Sequence, residues 1–288
     1  MSKERTSSGD PARTLQLLWR DSPSGGRRGP RRGLSIDAVV EAATAIADAE
    51  GLDAVTMRRV AKGLGVVPMT LYTYVPGKAE LLDLMLDAAY ARMPRADTTG
   101  QPWRQRVTAV AEENKALFER HPWAAAVSTV RPPLGPGQMA KYEHELAGLD
   151  GLGLSDVEMD DCLTHLLTFV QACARADADA RAAQHDSALN DQQWWELNAP
   201  LLARVLDENA YPTAVRVGAA AGAAHSSAHN PEHVYAFGLQ RVLDAFAALI
   251  DRREGAKTSA PSHRHDAVAP RAGTPAARTP ARELEEEG

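Results

Sequence analysis

Hydroxyl-bearing side chains are concentrated between Thr70 and Tyr74, the part of this sequence best equipped for chemistry. Thr70, Tyr72, Thr73 and Tyr74 follow Pro68 closely, with apolar residues between and around them. Hydroxyls and aromatic rings that project from such a stretch can reach phosphate oxygens and the edges of bases. The spacing therefore indicates a candidate surface for a nucleic acid.

Signals for other kinds of chemistry are weaker. His225, His229 and His233 recur at a spacing that would align zinc ligands on a helix, but Asn230 and Pro231 interrupt any helix there, so we interpret this stretch as a loop. The sequence contains no motif of a serine hydrolase, a zinc protease, a dinucleotide-binding fold or a nucleotide-triphosphate loop. It predicts a protein that is not an enzyme and needs no cofactor or metal.

The elements that must position the hydroxyl cluster are predicted to be helices throughout. Hydrophobic residues make up 44% of the chain, and alanine, which favours helices, supplies many of them. Apolar residues recur every three or four positions rather than alternating as in strands. We predict helices near residues 35–50, 56–64, 67–74, 78–93, 102–120, 122–130, 136–150, 155–184, 191–208 and 231–253.

The second and third of these helices, with a turn at Gly65 between them, form a predicted helix-turn-helix. Leu64, Val66, Leu71 and Val75 would anchor this pair to the helices before and after it. The second helix of such a unit can lie in the major groove of DNA. The expected fold class is all-α, with an N-terminal three-helix helix-turn-helix domain followed by a helical bundle.

Two long helices of the bundle carry broad apolar stripes, which suggest more apolar surface than a single core needs. We predict that these stripes form a homodimer interface; the alternative is that both are buried within one bundle. The predicted interface residues are Leu163, Leu166, Val170, Leu239, Val242, Leu243, Phe246 and Ile250.

Charge divides the chain into a basic and an acidic part. The net charge of the whole chain is −6, but residues 1–95 carry +3 and the remainder −9. This division suggests that only the N-terminal part meets a polyanion. Arg31 and Arg32 belong to a basic stretch within residues 1–33, which we expect to be a mostly disordered arm, and we expect the same of the proline-containing tail 255–288.

Features of membrane and secreted proteins are absent from the sequence. No run approaches the roughly 18 uninterrupted apolar residues of a membrane span, and the first residues lack the apolar segment of a signal peptide. The two cysteines, Cys162 and Cys173, cannot make a disulfide framework, and we expect them to be small core or pocket residues. The sequence predicts a cytoplasmic protein with no membrane partner.

A set of short motifs in and around the helix-turn-helix is specific. It comprises Ala61, Leu64-Gly65-Val66, Thr70-Leu71-Tyr72, Tyr74-Val75, Gly77-Lys78 and Leu81-Leu82. On these residues the chain resembles the TetR family of bacterial transcription regulators. Shorter segments at 120–123, 131–136 and 237–239 resemble the ligand-binding domain of the tetracycline-repressor branch, so the resemblance covers most of residues 34–253.

The resemblance implies contacts with DNA. Arg58 matches a base-contacting position, where a guanidinium suits guanine O6 and N7, and Tyr72 matches a position that commonly contacts phosphate. Lys78 would combine its ammonium with the free N–H groups of a helix N-terminus. Pro68-Met69 replaces the Gln-Pro common in that branch, so we expect a different operator. The expected DNA-contacting residues are Arg31, Arg32, Thr56, Arg58, Met69, Thr70, Tyr72, Thr73, Tyr74 and Lys78.

The resemblance also implies a small-molecule effector in the C-terminal domain. Val127 stands where tetracycline repressors place the histidine that meets the drug-bound magnesium, so we expect a largely apolar, neutral or weakly cationic organic molecule bound without a metal. The candidate pocket residues are Phe118, Trp123, Val127, Tyr142, His165 and Phe169. Packing in the core is the alternative role for the aromatic residues and the histidine.

These observations predict a homodimeric regulator, in particular a repressor that a small molecule releases from a palindromic operator in double-stranded DNA. The alternative is an all-helical enzyme or ligand-binding protein whose N-terminal helices are merely structural. The expected domains are a basic arm (1–33), a DNA-binding domain (34–80), a ligand-binding and dimerisation domain (81–254) and a tail (255–288).

Overall fold

The computed structural model describes residues 5–20, 34–225 and 230–259, and these residues form helices joined by short connections. No strand forms within these ranges, which confirms the all-α fold class. The helices are α1 (Pro11–Leu18), α2 (Ile36–Glu50), α3 (Met57–Gly63), α4 (Pro68–Tyr72), α5 (Lys78–Ala91), α6 (Trp103–Arg120), α7 (Pro122–Ala126), α8 (Pro136–Ala147), α9 (Asp156–Ser187), α10 (Asp191–Leu202), α11 (Pro212–His225) and α12 (Pro231–Ser259).

Side-chain caps and glycines set the ends of α2 as the sequence predicted. Ser35 accepts a hydrogen bond from the N–H of Ala38 at 3.1 Å and so begins the helix. Gly51 ends it with a φ of +83°, a left-handed conformation that costs glycine little. A turn of 3₁₀ helix at Leu52–Ala54 then leads into α3.

The described residues pack into two hydrophobic cores. The first core contains residues from each of the helices α1 through α5. It also includes Trp123, Ala124 and Val127 from α7 and its C-terminal cap. The second core joins α6, α9 and α12, with partly buried residues of α8 against it. Phe118 of α6 packs against both cores. The boundary between the two cores therefore runs through α6 and α7, and the domain boundary placed at residue 80 stays a prediction.

The apolar stripes of α9 and α12 face the second core of their own subunit. All eight residues predicted at a dimer interface are at most 6% exposed in the single chain: Leu163, Leu166, Val170, Leu239, Val242, Leu243, Phe246 and Ile250. Their burial in the single chain supports the alternative, burial within one bundle, over their assignment to the interface. Periodicity identifies a buried face, but it does not say whether the covering helix belongs to the same chain.

The expectation of a disordered N-terminal arm is wrong for residues 5–20. Asp10 caps α1 by accepting the N–H of Arg13, Pro11 occupies its first turn, and Leu18 is 4% exposed in the first core. Leu18 and the partly buried Leu17 give this short segment apolar surface in the first core, where α1 packs against α5. Residues 21–33, which include Arg31 and Arg32, and residues 260–288 lie outside the described part of the chain.

α11 was not predicted, and α7 and α10 end earlier than expected, at Ala126 and Leu202. Neither α10 nor α11 has a buried residue among its described side chains. A helix that buries nothing carries no apolar stripe, so periodicity had nothing to detect in Pro212–His225. None of the helices described above is both long enough and apolar enough to cross a membrane.

Candidate nucleic-acid interface and small-molecule cavity

α3 and α4 form the predicted helix-turn-helix. Thr56 caps α3 by accepting the N–H of Arg59 at 3.2 Å. The turn depends on Gly65, whose φ of +69° lets the N–H of Val66 reach the carbonyl of Ala61 at 3.0 Å. Leu71, which is fully buried, then fixes α4 to the first core.

The outer surface of α4 presents apolar groups and one phenol. Val67 and Met69 are 64% and 74% exposed, and Tyr72 is 42% exposed. Large apolar side chains this exposed on a five-residue helix favour a partner that offers methyl groups or ring faces, as the major groove does at thymine. Thr70 is half-buried beside them.

Two predicted contact residues are partly committed to the fold. Tyr74 is half-buried against the first core rather than projecting freely, and the Thr73 hydroxyl donates to the carbonyl of Thr70 at 2.7 Å. The Thr56 oxygen is likewise occupied by its cap. These side chains can still touch a ligand at the surface, but their conformations are set before it arrives.

The basic side chains around α4 differ in their exposure and in the groups they contact. Arg58 is exposed and has no ion pair within the described residues, whereas its neighbour Arg59 pairs with Glu50. Lys78 is half-buried, and its Nζ donates to the carbonyl of Leu52 at 3.4 Å. It begins α5, whose first N–H groups have no side-chain cap. A phosphate at this helix end would meet both the ammonium and the helix dipole.

A cavity of about 280 Å³ opens between α6, α9 and the start of α12. Its lining residues are Lys115, Phe118, Glu119, Val170, Cys173, Ala174, Asp177, Arg181, Pro231, Glu232 and Tyr235. Rings and aliphatic groups line part of it, and charged side chains line the rest. Among the charged groups, Lys115 pairs with Glu119 at 3.3 Å, and Arg181 pairs with Asp177.

Tyr235 is the most distinctive group in the cavity wall. Its hydroxyl is buried and makes no hydrogen bond within the described residues, its ring stacks on Phe169 at a centroid distance of 5.9 Å, and the Lys115 Nζ lies 5.1 Å from the ring centroid. Burial, with a smaller contribution from the nearby Glu112 carboxylate, raises the pKa of this phenol well above its ordinary value. The group is thus a neutral phenol in the cavity wall, with the Glu112 carboxylate beside its hydroxyl.

The structure brings together only part of the predicted pocket. Phe118 lines the cavity, and Phe169 lies directly behind Tyr235. Sequence reasoning missed the role of Tyr235 in the wall. Cys173 lines the cavity, while Cys162 is 5% exposed in the second core, so the two thiols divide between the expected roles.

Besides Phe169, which lies behind Tyr235, four other predicted pocket residues do not line this cavity. Trp123 is buried in the first core with its indole N–H on Asp48 at 2.7 Å, and Val127 is fully buried in the same core. The Tyr142 hydroxyl donates to Asp160 at 2.7 Å, and His165 is exposed with its ring edge toward Phe246. Polar partners in the rest of the fold explain the placement of Trp123 and Tyr142, which apolar spacing could not reveal.

The wall of the cavity and the helix-turn-helix are joined through α7. His121 and Trp123 both meet the carboxylate of Asp48 on α2, at 2.8 and 2.7 Å. Phe118, one turn earlier in the chain, touches both cores and the cavity. One or two layers of packed side chains therefore lie between the cavity and the core that holds α4.

Comparison with known proteins agrees with this arrangement along most of the chain. Residues 39–85 match the family model described as "Bacterial regulatory proteins, tetR family". Residues 95–250 match the model described as "Tetracyclin repressor-like, C-terminal domain".

Individual relatives match nearly their full lengths. The chain is 41% identical over 256 residues to the HTH-type transcriptional repressor DrrR1 of Streptomyces coeruleorubidus, covering 88% of this chain and 92% of that one. ActR of Streptomyces coelicolor in its apo form superimposes with a TM-score of 0.62 at 26% identity, covering 79% of this chain and 100% of ActR. Its complex with actinorhodin gives 0.63 at 27% identity, with coverages of 76% and 97%.

Proposed function

Because the chain belongs to the TetR family, whose members are ligand-responsive, DNA-binding transcriptional regulators, we propose that it is a repressor released from its operator by an organic molecule bound in the α6–α9–α12 cavity. The observation that carries this proposal is the continuity from the cavity through Phe118 to the core that holds α4. An enzyme or simple ligand carrier with structural N-terminal helices would need neither the exposed apolar surface of α4 nor this connection. The protein would act on DNA in the cytoplasm.

DNA recognition would rest on α4 and the ends of the helices beside it. The exposed Met69 and Tyr72 would enter the major groove with Thr70, and the exposed guanidinium of Arg58 would read a guanine. Lys78 would hold a phosphate at the N-terminus of α5. Two subunits would place their α4 helices on half-sites about one helical turn, ~34–36 Å, apart or slightly more, so the operator is palindromic.

Dimerisation is typical of this family, and the exposed sides of α9 and α12 are the best candidates for the contact. Thr168 and Ala172 on α9 and Arg241 and Ala245 on α12 are exposed in the single chain, on the side away from the second core. Small side chains let helices of two subunits approach closely. This surface replaces the apolar stripe that the sequence suggested.

The proposed effector is an aromatic organic molecule with a polar substituent that can accept a hydrogen bond from Tyr235. Phe118 and Tyr235 would supply ring contacts, and the two ion pairs at the wall would orient polar groups. The complex of ActR with actinorhodin shows that a protein of this fold accepts an organic ligand. We propose binding without a metal, because Val127 offers no ligand atom and no metal-binding group of three side chains occurs within the described residues.

A two-stage experiment tests this function. Selection from random DNA duplexes with the purified protein should yield a palindromic site, and a panel of aromatic compounds should then be screened for release of that duplex. Calorimetry with the compound that releases DNA, repeated in EDTA, should give the same affinity, and Tyr235→Phe should weaken it. Failure to select any duplex would contradict the proposal, and loss of effector binding in EDTA would contradict its metal-free form.

A further inference from the structure

The segment Arg5–Arg20, here called the strap, lies across two parts of the molecule that are far apart in sequence. One part is α5, which connects the helix-turn-helix to the rest of the chain. The other is the connection between α7 and α8, residues 127–135. The strap therefore contacts the DNA side and the effector side of the regulator at once.

On the α5 side, the strap supplies N–H groups to buried carboxylates. The Ser7 N–H donates to both carboxylate oxygens of Asp83, at 2.9 and 3.2 Å, and the Asp10 N–H donates to Glu80 at 3.4 Å. Asp83 is fully buried and Glu80 is 8% exposed. A carboxylate without water depends on such donors, so the strap cannot leave α5 without a cost.

On the α7–α8 side, the strap is held by carbonyl groups. The Thr6 N–H and hydroxyl donate to the carbonyl of Ser128 at 3.3 and 3.2 Å. The same hydroxyl is also shared with the backbone carbonyl of Arg131. The Ser7 hydroxyl donates to Pro132 at 3.2 Å. At the other end of the strap, the Trp19 indole N–H donates to the carbonyl of Leu134 at 2.8 Å.

The α7–α8 connection is in turn held by the helix that lines the cavity. Gln171 of α9 donates to the carbonyls of Ala125 and Val127 at 3.1 and 3.2 Å, and Arg175 donates to the same two carbonyls. Cys173, between these two residues in sequence, lines the cavity. An occupant that displaces α9 at Cys173 would thus pull on Val127 and the residues after it.

We propose that the strap is a positioning element that transmits effector-induced movement of residues 127–132 to α5, and through α5 to the helix-turn-helix. This inference rests on the function proposed above, because it concerns how the cavity and the DNA surface communicate. The residues with positioning roles are Thr6, Ser7 and Asp83. They touch neither the cavity lining nor the outer face of α4.

Ser7 joins the two sides in one residue. Its N–H binds Asp83 and its hydroxyl binds Pro132, and its φ of +52° is a left-handed conformation that serine rarely adopts. The two flanking sets of hydrogen bonds hold the residue in this conformation. Movement on one side therefore cannot be absorbed by the Ser7 backbone without breaking a bond on the other.

A double-mutant cycle tests the strap without a known effector. Cys173→Trp fills part of the cavity from within, and it is combined with Thr6→Val/Ser7→Gly, which removes the side-chain hydrogen bonds to residues 128–132 and keeps the N–H groups that bind Asp83 and Glu80. Ser8→Gly is the matched control, because the Ser8 hydroxyl only reaches the carbonyl of Arg5 within the strap. Operator affinity is measured with a duplex selected by the wild-type protein.

We expect Cys173→Trp to weaken operator binding by ~5-fold or more in the wild-type and Ser8→Gly backgrounds, within the usual range of allosteric coupling. In the Thr6→Val/Ser7→Gly background the same substitution should change affinity by less than ~2-fold. An equal loss in all three backgrounds would overturn the strap proposal and leave the proposed function intact. No loss in any background would count against the coupling of cavity and DNA itself.

Hydrogen exchange gives a second readout that does not depend on DNA. Cys173→Trp should speed the exchange of the Ser7 and Asp10 amides, because both are bonded only through the strap's contact with α5. Unchanged exchange at these amides would overturn the proposal whatever the operator does. If the double strap variant fails to fold, Ser7→Gly alone removes only the hydrogen bond to the Pro132 carbonyl, and glycine relieves the strained φ at that position.

Discussion

On α4 the side chains proposed to touch DNA stand in solvent, and the buried Leu71 anchors the helix. Around the cavity the same side chains face the ligand space and stabilise the fold, because Val170 and Tyr235 line the cavity and are also buried residues of the second core. Recognition and stability are therefore separate on the DNA surface and shared in the effector domain. Substitutions on α4 should change binding alone, whereas removal of a ring or an aliphatic group at the cavity should change both binding and folding.

The largest effect expected from this comparison is at Leu243, which is 2% exposed in the second core. Leu243→Glu should lower the free energy of unfolding by about 4 kcal/mol or more, because it buries a carboxylate without a partner. Thermal unfolding followed by circular dichroism measures the loss. Ala245→Glu, two residues away on the exposed side of α12, should instead dissociate the dimer and leave the subunit folded, which sedimentation would show. A folded, monomeric Leu243→Glu would restore the interface role that we withdrew.

The next effect depends on pH and concerns Asp83, the buried carboxylate of α5 that accepts the Ser7 N–H of the strap. Burial, supported by the nearby Glu80 and opposed by the Ser7 N–H, raises the pKa of Asp83 from 3.8 to about 6. The folded protein then binds more protons than the unfolded chain between these values, so this group lowers the free energy of unfolding as pH rises from about 4 to 6. The decrease between pH 4 and 6 should be about 2 kcal/mol.

Asp83→Asn tests this titration because an amide keeps an oxygen for the Ser7 N–H and does not ionise. Urea unfolding between pH 4 and 7 should show that the wild-type loses stability relative to the variant as pH rises. A difference that stays constant with pH would mean that Asp83 has an ordinary pKa in the folded protein.

A pair of aromatic substitutions should separate a structural ring from a ligand-binding ring. Trp123→Phe removes the indole donor to Asp48 and should lower the free energy of unfolding by about 2 kcal/mol, with little effect on effector affinity. Tyr235→Phe removes a buried hydroxyl and keeps the ring, so it should lower stability less than Trp123→Phe does while weakening effector binding. Unfolding curves and calorimetry on both variants suffice. The comparison fails if Trp123→Phe weakens the effector more than Tyr235→Phe does.

On the DNA surface the expected effects on folding are smallest. Arg58→Ala should weaken binding to the selected operator by about 1.5 kcal/mol, with little change in non-specific binding or thermal stability. Arg59→Ala is the matched control, since Arg59 already pairs with Glu50. Lys78→Ala should weaken both kinds of binding and lower the salt dependence by about one phosphate contact. An unchanged salt slope would remove the phosphate role from Lys78.

The same contrast explains how far the sequence could lead. Around α4, core residues such as Leu71 and surface residues such as Tyr72 differ in burial, and helical spacing separated them. In the effector domain, Trp123 and Tyr235 are both buried aromatic residues in apolar surroundings. Their roles depend on Asp48 and on an open space beside Tyr235, two features of the folded chain that no local pattern encodes.

The ends of helices and the N-terminal segment show the remaining limit. α2 has its cap and its stop within its own sequence, and its bounds were predicted correctly. α1 is short, and most of its stabilisation comes from α5 and residues 128–134, more than 60 positions away in sequence. Composition therefore predicted a disordered arm, whereas residues 5–20 are ordered as the strap by contacts distant in sequence.

The hydrogen bond between Thr6 and Ser128 spans 122 positions of sequence, and this separation orders the events of synthesis. The helix-turn-helix can form while the ribosome is still making α6, because its contacts are local. The strap, although it is made earlier, cannot dock until residues 128–134 have emerged and α7 has closed on α9. Docking of the N-terminal segment is therefore a late step in maturation, and before it the nascent protein exposes the buried carboxylates of α5 to water.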